Sequence, residues 1–341
     1  MSDRQPIIGV TMGDPAGIGP EVIVKAYRGL HDTGRPIVVG DADVLGAATK
    51  ICESDLSIQR IETVSDARFD RETIPVLDLD NVGTLVRGEV RQEYGAASLE
   101  YIERAIGLAK AGEIDGITTA PINKQATKLA GSTYAGHTGM LADRTNTSEY
   151  TMMLIESDLR VTHVSTHVSL REACERVTMS NVYSTIRLTA EALSDLGIES
   201  PNVGVAGLNP HASDGGLLGD TESAEIEPAV ERAREEGIDA VGPESPDTVY
   251  VRAAQGEFDC VVSMYHDQGH IPIKMLGFSS GEAVSGVNVT IGLPIIRTSV
   301  DHGTAFDIAG TGVASERSLL DAFGVAVDMA RARTTGSTLG S

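Results

Sequence analysis

Short β-branched runs alternate along this chain with amphipathic stretches of helical period, and that alternation restricts its fold more than any other feature. Ile7 to Val10 is followed by Glu21 to Leu30, and Ile37 to Val39 by Asp43 to Ile51; after Ile74 to Leu77, the stretch Ser98 to Lys110 leads into Ile117 to Thr119. The second half repeats the rhythm with Asn181 to Leu196, Val203 to Ala206, Glu222 to Glu236, Cys260 to Ser263 and a closing helix from Ser318 to about Arg331. Strands separated by helices read as an α/β fold with a parallel sheet. Thr151 to Ser169 differs: two apolar-alternating runs flank Glu156-Ser157-Asp158 and predict an antiparallel hairpin. At 341 residues the chain is long enough for two lobes. We expect residues 1–140 in lobe 1, with 300–341 returning to it, and 141–299 in lobe 2, with the hairpin as an arm toward a partner subunit. The C-terminal TTGSTLGS is expected to fray.

Composition excludes several classes of function. The 49 acidic and 27 basic residues give a formal net charge of -22, which opposes nucleic acid and anionic membranes as partners. No apolar run approaches the roughly 20 residues of a membrane span, and MSDRQPIIGV lacks the order of a secretory signal, so a cytoplasmic protein is expected. Three scattered cysteines fit neither a disulfide framework nor a thiolate metal cage. Only six of the basic residues are lysine. A lysine-poor, acidic surface suits concentrated salt, where screening over about 3 Å at 1 M removes self-repulsion, and a halophilic source follows as an expectation.

Polar clusters gather just after the apolar runs, where ligands sit in open α/β sheets. In TMGDPAGIGPE, residues 11 to 21, the glycines permit either a tight turn or an anion cradle, and the spacing is neither the dinucleotide fingerprint nor a phosphate loop. TTAPINK, residues 118 to 124, and AGHTGMLADRT, residues 135 to 145, offer Thr118, Thr119, Asn123, Lys124, His137 and Thr138 as donors to an anionic substrate; Asn123 and Thr138 also suit helix capping. Histidines 163, 167, 211, 266, 270 and 302 lie mostly in Gly/Ser/Asp-rich strand exits. Three neutral imidazoles would make a divalent-metal site, and strand alternation leaves His163 and His167 as equal candidates. Lys274 and Arg297 are cations retained against an acidic background, as a phosphate or carboxylate ligand requires.

In this order, GDPAGIGPE, TAPINK, GHT, GLNPHA followed by a glycine pair, YHDQG and VNVTIGLPIIRTSVDHGTA resemble the 4-hydroxythreonine-4-phosphate dehydrogenase family of vitamin B6 biosynthesis, from about residue 7 to residue 330. The resemblance implies an isocitrate/isopropylmalate dehydrogenase-like two-lobed α/β/α fold, a homodimer, and use of NAD or NADP with one divalent metal, zinc, magnesium or cobalt. It also implies oxidation of a secondary alcohol beside a phosphorylated chain, after which the β-keto acid loses CO2. By motif, His167, His211 and His266 become the metal ligands of a site shared between subunits, which selects His167 over His163. His137, Thr138, Lys274, Asn288 and Arg297 become substrate contacts, with Lys274 and Asp267 as catalytic candidates and His270 as a supporting group. Asp247, Asn288 and Asp301 are the candidates for holding the nucleotide.

This sequence departs from the biosynthetic pattern in places. GHT is followed by Gly139 instead of an acidic residue, NPHA by Ser213-Asp214, and GFSSGEAVSG lengthens the link from Lys274 to Asn288. YHDQGHIPIK and GTAFDIAG are similar to a second branch of the family, acting on 4-phospho-D-threonate or 4-phospho-D-erythronate. A phosphate acyltransferase on a related fold and a noncatalytic phosphometabolite-binding protein are the alternatives from other classes.

Overall fold

A computed structural model describes residues 4–134, 136–279 and 286–336. Two compact units divide the chain: one takes the residues up to Thr147 and from Leu293 onward, the other Ser148–Gly292. Along the chain, the first unit opens with β1 (Ile7–Thr11), α1 (Gly19–Thr33), β2 (Arg35–Gly40), α2 (Ala42–Ile51), β3 (Ser57–Ile61) and β4 (Thr73–Asp78). It continues with α3 (Gln92–Lys110), β5 (Gly116–Thr119), α4 (Lys124–Leu129) and α5 (His137–Arg144). The second unit contains β6 (Thr151–Glu156), β7 (Leu159–His163), α6 (Leu170–Arg176), α7 (Met179–Asp195), β8 (Asn202–Ala206), α8 (Glu227–Glu235) and β9 (Asp239–Glu244). Then come α9 (Val249–Ala254), β10 (Cys260–Ser263), α10 (His266–Ser279) and β11 (Val287–Ile291), before β12 (Arg297–Val300) and α11 (Arg317–Gly336) return to the first unit.

In the first unit the strands run in the order β3-β4-β2-β1-β5-β12, every pair parallel. Because both faces are covered, β1, β2 and β5 bury every residue or nearly so, as continuous apolar runs predict. Asp41 caps α2 by accepting from the backbone of Asp43 and Val44, and Tyr27 of α1, Tyr94 and Tyr101 of α3 and Phe323 of α11 are fully buried. The parallel register brings Thr11 beside Thr119 and Thr119 beside Ser299, so the carboxyl ends of β1, β5 and β12 lie side by side.

The second unit has a mixed sheet in the order β11-β6-β7-β10-β8-β9, antiparallel over its first three strands and parallel beyond. The expected hairpin is β6 and β7, turned at Ser157 in the left-handed region. It does not project as an arm: β11 pairs with one strand and β10 with the other, so both hairpin edges are used inside the sheet. Its core joins Leu154, Leu159 and Val161 to Val249, Tyr250, Phe258, Val261 and Ile273. Pro228, which has no N–H to return to the carbonyl of Ala224, follows a π turn at Glu222–Ile226, and α8 begins after it.

Several sequence expectations change here. The closing helix reaches Gly336, so Thr334 and Thr335 are helical and not part of a frayed tail; residues 337–341 lie outside the described residues. Residues 264 to 274, read as a strand exit, enter a helix at His266 that carries Pro272 inside it. Most of the lengthened link after Lys274, residues 280–285, lies outside the described residues. Among the described residues no helix is long and apolar enough to cross a membrane.

Candidate active site

The strand exits of the first unit hold a set of buried polar groups. Gly13 (φ +72°) sits where an added Cβ would lie 2.2 Å from the carbonyl oxygen of Pro121, so the TMGDPAGIGPE link is pressed against the end of β5. Its amides are already used: Asp14 N donates to Pro121 O, Ala16 N to Asp14 Oδ1, Gly17 N to Asp14 O and Ile18 N to Thr304 O. These four amides are bound within the turn or to neighbouring carbonyls, so they are not available to an anion. Glu21 extends the clamp by accepting from the backbone of Gly310 and Gly312 at 2.5 and 2.7 Å. Asp14 is fully buried, and its Oδ2 has no hydrogen-bond partner among the described residues. Burial pushes its carboxyl up to about 6, the Ala16 amide opposing in part.

Beside this turn lies the cationic group. Arg297, at 3% exposure, donates from Nη2 to Thr119 Oγ1 at 2.8 Å. Burial lowers its guanidinium to about 9, which still leaves it charged at neutral pH. His137 is the first residue of α5, and its Nε2 is buried without a partner among the described residues. Burial, and then the charges of Arg297 and Lys124, hold its imidazole well below its ordinary 6.5, so it is neutral at physiological pH. Asn123 is the cap of α4, accepting from Gln125 and Ala126, whereas α5 is capped at Gly136 and Thr138 stands inside its first turn. His137 thus presents a buried imidazole nitrogen within the influence of two cations, Arg297 and Lys124. Asp301 follows β12 half-buried, and His302 is exposed with Nδ1 3.0 Å from the carbonyl of Gly303.

In the second unit the histidines gather where β7 and β10 end. Strand β7 stops at His163, so the regular alternation that would have paired His163 with His167 does not extend that far. The two take different places. His163 is 1% exposed, its Nε2 is 3.1 Å from Nδ1 of His270, and burial, followed by His270 and His266, pushes it down to about 3. His167 lines a cavity of about 520 Å³ with Tyr265, His266 and Asp267, and its ring centre is 5.6 Å from that of His266. His270 stacks flat on His266 at 3.6 Å, with its Nδ1 3.0 Å from the His266 carbonyl. Asp267 Oδ1 meets Nδ1 of His266 at 2.7 Å, which fixes a tautomer whose Nε2 points away. Asp267 thus supports a histidine in this geometry. Lys274 lies two turns further along α10, about 12 Å up the axis. Asn288 on β11 has a buried Oδ1 without a partner among the described residues.

His211 is presented differently. His211, Ala212, Ser213 and Asp214 all have positive φ, from 49° to 66°, followed by Gly215 and Gly216 at 69° and 94°. A left-handed turn costs an L-residue roughly 1–2 kcal/mol, so four in succession must be held by their surroundings. Asp247 Oδ2 lies 3.6 Å from His211 Nδ1, and the Ser245 hydroxyl holds the Asp247 carboxyl below its usual range. That places Asp247, a nucleotide candidate by sequence, beside a histidine. Gln268 ties the two histidine-bearing segments together, donating to Gly207 O at 2.7 Å and accepting from Met264 N at 2.6 Å.

Imidazoles whose Nδ1 faces a carboxylate are the donor set of a divalent cation, so His266 and His211 suit one, and His167 stands next to His266. Among the described residues, however, no three such side chains come together in one chain.

Comparison with known proteins decides the family. Residues 32–326 match the family model described as pyridoxal phosphate biosynthetic protein PdxA. The chain belongs to the PdxA family. It is 47% identical over 337 residues to the D-threonate 4-phosphate dehydrogenase of Cupriavidus necator, covering 98% of this chain and 100% of that protein. It is also 47% identical over 331 residues to the 4-hydroxythreonine-4-phosphate dehydrogenase of Desulfosudis oleivorans, covering 96% of each. The crystal structure of a 4-hydroxythreonine-4-phosphate dehydrogenase from Burkholderia phymatum superposes with a TM-score of 0.85 at 45% identity, over 96% of this chain and 99% of that one. The fold is therefore the isocitrate/isopropylmalate dehydrogenase-like α/β fold, in a family of dehydrogenases. Within this PdxA chain, Asp14, Glu222 and Gln268 escape sequence reading. Each is an ordinary polar residue until its burial and distant partners are seen.

Proposed function

We propose that this PdxA family member is an NAD(P)- and divalent-metal-dependent dehydrogenase that oxidises a 4-phosphorylated 3-hydroxy acid and releases CO2 from the β-keto acid formed. The observation that carries the reading is the coexistence of a buried guanidinium beside a neutral histidine with a histidine pair oriented by carboxylates. In the proposed reaction C3–H leaves as hydride to the nicotinamide and the C3 hydroxyl loses its proton. The C1–C2 bond then breaks, and the electron pair it leaves on C2 enters the enolate, which is protonated as CO2 departs.

His137, Thr138, Lys274, Asn288 and Arg297 are the residues assigned to the substrate's phosphate and carboxylate. When bound, a zinc, magnesium or cobalt ion would supply Lewis acidity for the oxidation and the decarboxylation. His167, His211 and His266 would hold it, with Asp267 hydrogen-bonded to His266 Nδ1 and Asp247 3.6 Å from His211 Nδ1. We assign the site to a homodimer in which one copy contributes His167 and His266, whose ring centres lie 5.6 Å apart, and the second copy contributes His211. The surface supports this, because Leu217 and Leu218, just after His211, and Ile271 and Met275, on the helix of His266, are large apolar side chains left exposed. Asp301 and Asn288 are assigned to the nucleotide side.

Between the two substrate branches, Gly139 favours D-threonate 4-phosphate. It removes the carboxylate that would balance an ammonium group next to His137 and Thr138. The test is NAD+ reduction with D-threonate 4-phosphate, D-erythronate 4-phosphate and 4-phosphohydroxy-L-threonine at equal concentrations. A preference for the amino acid would sink the branch assignment and leave the reaction class standing.

A further inference from the structure

The strained turn that carries His211 is supported by a buried carboxylate. Glu222, 1% exposed, accepts from both the backbone N and the side-chain Nδ2 of Asn209, at 2.6 and 2.9 Å. Asn209 in turn is the residue from which the left-handed turn departs, its carbonyl accepting from Ala212 N at 3.2 Å. The turn closes on itself through Ser213, whose carbonyl accepts from the amides of Gly216 and Leu218. Gly207 completes the socket: a Cβ there would lie 2.9 Å from Ala212 Cα and 3.3 Å from Glu222 Oε1, so turn, strand exit and carboxylate are in mutual contact. Glu222 itself opens the π turn that precedes α8, a widened turn of the kind found at functional sites.

We infer that Glu222 is a positioning residue for the metal site, acting through Asn209 to hold His211 in the left-handed turn. The inference rests on the proposal that His211 is a metal ligand. Left-handed residues revert to ordinary backbone when the surroundings release them, because the turn has no intrinsic preference for that conformation. A carboxylate with two acceptor oxygens satisfies both donors of Asn209 at once. An amide in its place turns an N–H toward one of them and loses that bond. Leu217 and Leu218 extend from the same turn, so the support also fixes where these exposed side chains stand.

The experiment is a cobalt(II) titration of full-length wild type, Glu222→Ala, Glu222→Gln and His211→Ala, followed by the visible spectrum of bound cobalt and by far-ultraviolet circular dichroism of each protein. Glu222→Ala is expected to weaken cobalt binding by about 10- to 100-fold, with Glu222→Gln in between and its cobalt spectrum shifted, while the dichroism stays native. A role confined to stability would lower the melting temperature and leave affinity and spectrum at low temperature as in wild type. That result, with His211→Ala unable to bind, overturns the inference alone. If wild-type protein does not bind cobalt, the metal reading fails and takes this inference with it. Glu222→Gln, which keeps the shape of the side chain, carries the test should Glu222→Ala not fold.

Discussion

The first unit buries the groups assigned to the anion, whereas the second leaves His211 and His266 partly exposed beside carboxylates. Arg297 is buried at 3% exposure on the hydroxyl of Thr119, and His137 is kept neutral by its surroundings. His211 and His266 instead lie beside Asp247 and Asp267, and among the described residues no three metal-binding side chains come together. A site finished by its own fold should depend on residues of one chain. One that is only prepared should depend on what a second chain brings.

The sharpest way to break that contrast is subunit complementation. His211→Ala and His167→Ala are each expected to lose turnover by at least ~100-fold, and a mixture refolded or exchanged into heterodimers should recover about a quarter of wild-type activity, since half the dimers then carry one intact site. No recovery on mixing would mean that all ligands come from one chain. Arg297→Ala tests the first unit. Its kcat/KM should fall by about 10- to 100-fold, the worth of a charge-assisted bond to an anion of about 1.5–3 kcal/mol.

A smaller effect tests burial in the first unit. With its carboxyl raised from 3.8 to about 6, Asp14 binds a proton more tightly folded than unfolded, so its contribution to stability falls as pH rises through that window. Asp14→Asn should therefore stabilise the protein by on the order of 2–3 kcal/mol above pH 6 and by almost nothing below pH 4. A melting-temperature gain that is the same at pH 4 and pH 7.5 would show that the buried carboxylate is not the cause. The smallest effect concerns the surface of both units. With a net charge of -22, we expect melting to rise by a few degrees from low to multimolar KCl, and a flat or falling curve would remove the halophilic reading.

Much of the fold was legible because burial on both faces leaves a periodic mark. The runs at Ile37, Ile74, Val203 and Cys260 all became strands. The elements that escaped lack the mark: β3, SIQRI, is an edge strand with polar residues, and β9 carries Gly242-Pro243 in half-buried positions. Helix α10 was hidden by Gly269 and Pro272, two poor helix formers that tertiary packing overrides. At the site, residue types were visible and arrangement was not. Spacing could not separate His163 from His167, and only the end of β7 at His163 shows why one is buried against His270 while the other lines a cavity. Nothing in PHASDGG announces four non-glycine residues with positive φ, because Ala and Ser rarely adopt them and the stabilising partner, Glu222, is 13 positions from Asn209.

The central claim is tested most directly by following NADH and CO2 together when purified protein is given NAD+, D-threonate 4-phosphate and Mg2+, Zn2+ or Co2+. The account predicts NADH and CO2 in equal amounts with at least one metal, and none of either after chelation. No NADH from any of the three phosphorylated acids, with either NAD+ or NADP+ and any of these metals, would contradict it.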